Sequence, residues 1–189
     1  MTRKLPAVTK PDDPLPFSPP LADDVRIPDF KAALFTAFQA DHALLGRGLA
    51  ELRGYLLDDE PERLRQTARG LLRTAGAHIA FEEHDFYPAL RARLSDAEVG
   101  TMYREHAEGR DMLARIADAT DEELRDASNS DELLIGIEAL ERHVAGCGDL
   151  FGAMGGLSEQ EACQLLRKLK AWRKQAPVRS GTGDKDRAA

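Results

Sequence analysis

The chain has 189 residues, of which 42% are hydrophobic and 31% are charged, the balance of an ordinary folded domain. Its formal net charge of −7 argues against a nucleic-acid-binding surface, because no net positive charge is available to neutralise phosphates. No stretch approaches the ~20 apolar residues of a membrane span, and the N-terminus lacks the apolar segment of a secretory signal. The two cysteines, Cys147 and Cys163, do not amount to a disulfide framework. We therefore expect a cytoplasmic protein with neither a nucleic-acid nor a membrane partner.

Composition divides the chain into three parts. Residues 1–27 hold six of the ten prolines and show no apolar periodicity, so they are predicted to form a Pro-rich flexible arm. Residues 177–189 are small, polar and charged, as expected of a flexible tail. Residues 28–176 are predicted to form a single helical bundle domain.

The first two predicted helices follow the arm. Helix one should start near Pro28 and Asp29, because apolar residues then recur at helical spacing. Its apolar stripe consists of Phe30, Leu34, Phe38, Leu45, Leu49, Leu52 and Leu56. Pro61 suits the first turn of helix two, and helix two is predicted to end near Pro88, whose ring clashes with the preceding turn of a helix.

Three further helices are predicted after Pro88. Residues 95–98 form a capping-box pattern that opens helix three. Asn129 and Ser130 are the predicted caps of helix four, and Gly155 with Gly156 should end it. A second capping box at residues 158–161 opens a shorter fifth helix. The pattern predicts an all-α, up-down-up-down four-helix bundle with a short fifth C-terminal helix and disordered tails.

Histidines interrupt the apolar stripes of all four long helices. His42 lies between Phe38 and Leu45, at helical spacing from both. The other residues that fall on apolar faces are His78, His106 and His143, with Glu82 one turn after His78 and Cys147 one turn after His143. Each long helix is therefore predicted to point one histidine inward, and helix two adds a carboxylate.

A single inward histidine is more often a hydrogen-bonded core residue than a metal ligand. Four of them on four helices are different, because burying each without a partner costs ~1–3 kcal/mol. A shared metal ion satisfies all of them together, and imidazole with carboxylate suits iron, zinc, copper or manganese. The residues therefore predict a metal site.

Three further residues lie within a few turns of the predicted ligands. His84 is rotated by about 240° from His78 at 100° per residue, so it is predicted to face away from the site. Asp85 is either an acceptor for a ligand N–H or a solvated acid. Tyr103 is either an oxygen ligand or a core tyrosine, of which the core role is the simpler.

The pattern resembles the hemerythrin-like, HHE cation-binding domains. The matching pieces are Asp41-His42, His78-x3-Glu82-Glu83 followed by Phe86-Tyr87-Pro88, Glu105-His106 and Glu141-Arg142-His143. The resemblance spans roughly residues 28–175. It implies a non-haem di-iron site with His42, His78, His106 and His143 as ligands and Glu82 as a bridging carboxylate.

The chain departs from that pattern at two positions. Such domains often carry a second bridging glutamate four residues after the histidine of helix four, where this chain has Cys147. Cys147 is either a small buried residue beside an incomplete site, a thiolate ligand or a redox-active neighbour. Arg110 follows His106 where the oxygen-carrying branch has a second histidine, which argues against a reversible oxygen carrier of that type.

The sequence leaves three functions open. The first is an iron protein, dinuclear or with an asymmetric or mononuclear site, that binds or reacts with O2, NO or peroxide. The second is a metal-responsive sensor or interaction bundle without turnover, for which zinc is also suitable. The third is an enzyme that consumes peroxide or superoxide. No feature of the sequence identifies a protein partner.

Overall fold

The computed structural model describes residues 29–146 and 148–175, and no strand occurs among them. The helical elements in chain order are α1 (Phe30–Leu57), α2 (Pro61–Phe81), a π-helical turn (Glu82–Phe86), α3 (Tyr87–Leu90), α4 (Asp96–Asp118), α5 (Asp121–Arg125), α6 (Ala127–Gly146), α7 (Gly148–Gly155) and α8 (Glu159–Gln175). The all-α class predicted from the sequence is therefore confirmed for this part of the chain. The arm at residues 1–27 and the tail at residues 177–189 lie outside it and stay predictions.

Most of the predicted helix ends agree with the structure. The Asp29 side chain caps α1 by accepting the Ala32 N–H at 2.8 Å, and Pro61 is the first residue of α2. Both predicted capping boxes are present: Ser95 pairs with Glu98 at the start of α4. Ser158 pairs with Glu161 in the same way at the start of α8. Short polar side chains at these positions satisfy N–H groups that the first turn of a helix leaves unpaired.

Two predicted boundaries are wrong. Helix two does not end at Pro88, because a π-helical turn precedes the proline, and the Tyr87 N–H donates to the Glu82 carbonyl five residues back. The helical path therefore continues through α3 to Leu90. Pro88 lies in the first turn of α3, where its missing N–H is tolerated.

The fourth long helix starts at Ala127 rather than after Asn129 or Ser130. The Asp126 carboxylate accepts the Asn129 N–H at 3.0 Å, so Asp126 performs the capping that was assigned to Asn129. The short helix α5 precedes it and begins with a capping box of Thr120 and Glu123, which was not predicted from the sequence.

The helices pack around two apolar clusters. α2 packs against α1 and α4, α1 against α6 and α8, and α4 against α6. One cluster is built on the second half of α1, α2 as far as Ala75, the second half of α4, α5 and α6; its most buried members are Leu52, Leu64, Ala68, Ile116 and Ile137. The other is built on the first half of α1, the end of α2, the π-helical turn, α3, α7 and α8; its most buried members are Phe38, Phe81, Phe86, Leu90, Ala162 and Leu169.

The C-terminal helix α8 is part of the second cluster, in which Ala162, Leu165, Leu166 and Leu169 are buried. It is therefore more than the peripheral appendage that the sequence suggested. Among the described residues, no helix is both long and apolar enough to cross a membrane.

Candidate metal centre

A polar layer separates the two apolar clusters. On α1 it consists of His42, between Phe38 of one cluster and Leu45 of the other. The buried polar side chains of the described residues all belong to this layer: His42 is 8% exposed, His78 4%, Glu82 1% and His106 3%. His143 is partly buried at its edge. Groups of this kind are costly to bury unless they have partners.

Glu82 lies at the centre of the layer. Its Oε1 atom is 3.4 Å from His78 Nε2 and 4.0 Å from His42 Nε2. Its Oε2 atom is 3.1 Å from His106 Nε2. The two oxygens of one carboxylate therefore face different histidines, which is the arrangement that a bridging carboxylate requires.

The other ring nitrogen of each histidine has an acceptor outside the layer. The Nδ1 atom of His42 donates to the Phe38 carbonyl at 3.0 Å. The remaining Nδ1 atoms donate to carboxylates: His78 to Asp41 at 3.3 Å, His106 to Glu83 at 3.1 Å and His143 to Glu105 at 2.7 Å. Such acceptors fix the tautomer and the ring orientation of a metal-ligating histidine.

Three of these acceptors were not identified from the sequence. Asp41, Glu83 and Glu105 each directly precede or follow a predicted ligand in the chain. Asp41 and Glu105 nevertheless serve the histidine of another helix rather than their sequence neighbour. Acids adjacent to histidines were the available signal, but their partners depend on how the helices pack.

The charges of the layer follow from its burial and its close pairs. Burial raises the pKa of Glu82, but the positive charge of His78 and the hydrogen bond with His106 outweigh it, so the pKa lies far below its usual range. Burial lowers the pKa of His78, but Glu82 and Asp41 outweigh it and raise the pKa to about 9. Burial, together with repulsion from His78, lowers the pKa of His42. At neutral pH the layer therefore holds a carboxylate, a protonated His78 and a neutral His42.

Two buried atoms of this layer have no hydrogen-bond partner among the residues that the structure describes. They are His78 Nε2 and Glu82 Oε1. They lie 3.4 Å apart, close enough for charge attraction but without the alignment of a hydrogen bond. An imidazole nitrogen and a carboxylate oxygen buried in this way are good donors for a divalent transition metal, which replaces the imidazole proton when it binds. The residues present therefore fit a metal ion.

The two halves of the layer are unequal. His42, His78 and Glu82 each offer a ligand atom within 4.8 Å of the others, a group that can hold one ion. The other half contains His106 and His143, whose ring centroids are 5.0 Å apart, and the Oε2 atom of Glu82. The Tyr87 hydroxyl also reaches this half, 3.4 Å from His106 Nε2. Tyr87 is 1% exposed, and no role in the site was predicted for it from the sequence.

A small cavity adjoins the layer. Its volume is about 50 Å³, which exceeds the ~10–15 Å³ that one water molecule needs. Histidines, Glu82 and Arg110 form its polar part, and the rest is apolar, including Leu45, Leu49, Leu71, Leu113, Leu140 and Val144. The cavity therefore has room for a ligand of a few atoms, with polar groups on one side of it and apolar side chains on the other.

The structure brings together five of the six residues predicted as ligands: His42, His78, Glu82, His106 and His143. The sixth, Cys147, lies outside the described residues, so its three interpretations stay open. That these residues ligate a metal also stays a prediction.

Of the residues near the predicted ligands, His84 has the predicted orientation, whereas Asp85 and Tyr103 make contacts that were not predicted. His84 does face away from the layer, and its ring stacks on Trp172 of α8 with centroids 5.7 Å apart. Asp85 is not an acceptor for a ligand, because it pairs with Lys168 at 2.6 Å and accepts the Trp172 Nε1–H at 2.8 Å. Tyr103 is neither a ligand nor a core residue: it is 38% exposed and its hydroxyl donates to the Glu83 carbonyl. Arg110 pairs with the Glu83 carboxylate at 3.3 Å.

Comparison with known proteins agrees with this geometry. The model of the hemerythrin HHE cation-binding domain matches residues 33–147, a range that includes all six predicted ligands. The chain has no match among the curated proteins or among the solved structures. The match covers more than half of the chain, so this protein belongs to the hemerythrin HHE cation-binding domain family.

Proposed function

We propose that the protein is a non-haem iron protein that binds or reacts with a small ligand, namely O2, NO or peroxide. The metal site is supported most directly by two buried atoms, His78 Nε2 and Glu82 Oε1, that have no hydrogen-bond partner in the described part of the chain. The choice of iron rests on the family, whose members bind cations, and on the mixed imidazole and carboxylate donors, which also suit zinc.

The centre is proposed to be dinuclear and asymmetric. His42, His78 and the Oε1 atom of Glu82 would hold the tighter ion, because among the described residues only this group of three offers ligand atoms within 4.8 Å of one another. His106, His143 and Glu82 Oε2 would hold the weaker one. Cys147 stands where the resemblance implies a second bridging glutamate, so Glu82 is the one bridging carboxylate in this proposal.

The bundle is proposed to have the up-down-up-down order. The direction in which the helices run between the two apolar clusters supports this order. α1 and α4 run from the second cluster towards the first, and α2 runs from the first towards the second. Helices of alternating direction place one histidine each at the same level, where the polar layer lies.

The cavity supports a small ligand. Iron held by these residues supplies an open coordination position and a redox-active centre when it is bound. The chain itself contributes the cavity, whose small volume excludes larger molecules, and the outer acceptors, which hold the imidazoles in place.

The test is to narrow the cavity without touching a proposed ligand. Ala75→Val adds two methyl groups to a residue that lines the cavity. Ala77→Val adds the same groups to α2 at a position that does not line it. After anaerobic loading with ferrous iron, NO binding is followed by visible absorption. Ala75→Val is expected to keep its iron but bind NO more slowly or more weakly, with Ala77→Val unchanged. Equal NO binding in all three proteins would contradict the role of the cavity.

A metal-responsive sensor is the second candidate. It is favoured by the contacts between α8 and the layer, since Arg173 of α8 binds Asp41, the acceptor of His78. Metal-dependent docking of α8 with no response to O2, NO or peroxide would support the sensor. Turnover of peroxide or superoxide by the iron-loaded chain would instead support an enzyme.

A further inference from the structure

Arg173 of α8 forms a two-point contact with Asp41 of α1. Its Nε donates to Asp41 Oδ2 at 3.1 Å, and its Nη2 donates to Asp41 Oδ1 at 2.7 Å. The same Nη2 donates to the Ala37 carbonyl at 2.7 Å. A guanidinium that holds both oxygens of a carboxylate fixes its orientation as well as its position. Arg173 lies outside residues 33–147, which match the family model.

Asp41 connects this contact to the polar layer. Its Oδ2 atom, which accepts from Arg173, also accepts the His78 Nδ1–H at 3.3 Å. On the other side of the ring, His78 Nε2 faces Glu82 Oε1 at 3.4 Å. A continuous series of contacts therefore runs from the C-terminal helix through Asp41 and His78 to the central carboxylate.

Asp41 needs such support because it lies at the edge of the protein. Its side chain is 19% exposed and that of Arg173 is 37% exposed, whereas that of His78 is only 5% exposed. Asp41, His78 and Arg173 also line one open groove between α1 and α2. A carboxylate at such a position exchanges its partners with water unless another group holds it, and the His78 ring then loses its fixed acceptor.

We propose that Arg173 is a positioning residue of the metal centre: it fixes the Asp41 carboxylate, which in turn holds the His78 ring so that Nε2 points at the metal position. This inference rests on the proposed metal centre. It makes α8 part of the site, although α8 supplies none of the proposed ligands.

A purely structural role for Arg173 makes a different prediction. α8 is also held by Lys168, which pairs with Asp85 at 2.6 Å. Lys168 and Arg173 are both partly exposed cations on the same helix, each paired with a carboxylate of an earlier helical element. Lys168→Ala is therefore the matched control, because it weakens the docking of α8 without touching Asp41.

The first experiment measures iron release. Wild type and the variants Arg173→Gln, Arg173→Lys, Asp41→Asn and Lys168→Ala are loaded anaerobically with ferrous iron, and release to excess chelator is timed. Loss of a partner that orients a ligand weakens metal binding about 10–100-fold, so Arg173→Gln is expected to speed release by about 10-fold. Arg173→Lys should recover only part of this, because an ammonium group cannot hold both oxygens. Lys168→Ala should release iron at the wild-type rate.

A double variant separates positioning from docking. If Arg173 acts through Asp41, Arg173→Gln has no further effect in a chain that already carries Asp41→Asn. Equal acceleration by Arg173→Gln in both backgrounds, or an effect of Lys168→Ala as large as that of Arg173→Gln, would overturn the inference. If the wild type binds iron and Arg173→Gln does not alter its release, the inference fails while the proposed metal centre stands.

A second readout does not need a metal. In the metal-free chain, the His78 Nδ1–H is expected to give a protected imidazole signal in NMR spectra, because Asp41 accepts it. Arg173→Gln should speed the exchange of that proton with solvent, and Lys168→Ala should not. Unchanged exchange in Arg173→Gln would overturn the inference even if the wild type bound no iron.

Discussion

At the scale of single residues, the layer works by giving each imidazole a fixed outer partner. Carboxylate and carbonyl oxygens only accept hydrogen bonds, so the Nδ1 atoms of His78, His106 and His143 must carry their protons. When such a ring is neutral, its lone pair is on Nε2. For His78 and His106, the Nε2 atom is the one that faces Glu82, which is the orientation that a ligand needs.

Ligand and non-ligand residues of the same segment are expected to differ in their effect on metal content. His78→Ala or Glu82→Ala removes a buried donor and should abolish most of the bound iron. His84→Ala removes an exposed ring that stacks on Trp172 and should leave iron content unchanged. Elemental mass spectrometry on the three purified variants measures this directly. A loss of iron in His84→Ala equal to that in His78→Ala would refute the assigned faces.

The sequence predicts the inward residues well because helical spacing alone decides which side chains share a face. His42, His78 and His106 are all buried, as their positions on the apolar stripes indicated. The partners of these residues could not be predicted in the same way. Asp41 is adjacent to His42 in the chain but bonds to His78, and only the packing of α1 against α2 determines that choice.

At the scale of helical elements, the π-helical turn Glu82–Phe86 and α8 support each other. The turn carries Glu82 inward and leaves His84 and Asp85 on the outside, where they contact Trp172 of α8. π-helical turns of this kind are frequent at functional sites. Here the turn places the central carboxylate on one side and the attachment point of α8 on the other.

Removing the contact between Asp85 and α8 is expected to lower the free energy of unfolding more at neutral pH than at acid pH. Burial raises the pKa of Asp85, but hydrogen bonds from Lys168 and Trp172 outweigh it, and the pKa lies below its usual range. A carboxyl group with a lowered folded-state pKa contributes stability above its unfolded pKa and loses it as the pH falls through the folded pKa. Asp85→Asn should therefore cost about 1 kcal/mol near neutral pH, and less at acid pH.

Urea unfolding of wild type and Asp85→Asn across the acid range checks this, with metal-free protein used throughout. The difference between the two proteins should shrink as the pH falls. A difference that stays constant or grows would show that the lowered pKa of Asp85 does not contribute to stability.

The presence of the long helices could be predicted from the sequence, but two of their boundaries could not. Pro88 indicated an end to helix two, because proline removes an N–H group and clashes with the preceding turn. The wider turn at residues 82–86 accommodates the proline instead, and no periodicity in the sequence signals such a turn. The start of α6 was misplaced for a related reason, since Asp126 caps it and α5 occupies the preceding residues.

At the scale of the whole molecule, the polar layer lies between two apolar clusters and is the part of the interior that is costly to bury. Each cluster is stabilised by burial of apolar surface. The layer instead brings a protonated His78 and the Glu82 carboxylate into the interior, where burial opposes both charges. A bound metal ion would take the place of the imidazole proton of His78 beside the Glu82 carboxylate. Metal binding and folding are therefore expected to be coupled.

Metal loading is therefore expected to raise the thermal unfolding temperature. A ligand that binds only the folded chain adds about 2.7 kcal/mol of stability at a free concentration 100 times its dissociation constant. Calorimetry with and without ferrous iron under anaerobic conditions measures the shift. Glu82→Ala is the control and should show a much smaller shift, while an equal shift in that variant would indicate that iron binds elsewhere.

The central claim is that the layer of His42, His78, Glu82, His106 and His143 is an iron centre. The most direct test is the iron content per chain, measured by elemental mass spectrometry after anaerobic loading with ferrous iron and desalting. We expect between one and two ions per chain, the second being lost first because its half of the layer has the looser set of donors. A chain that retains no iron after this treatment would contradict the claim.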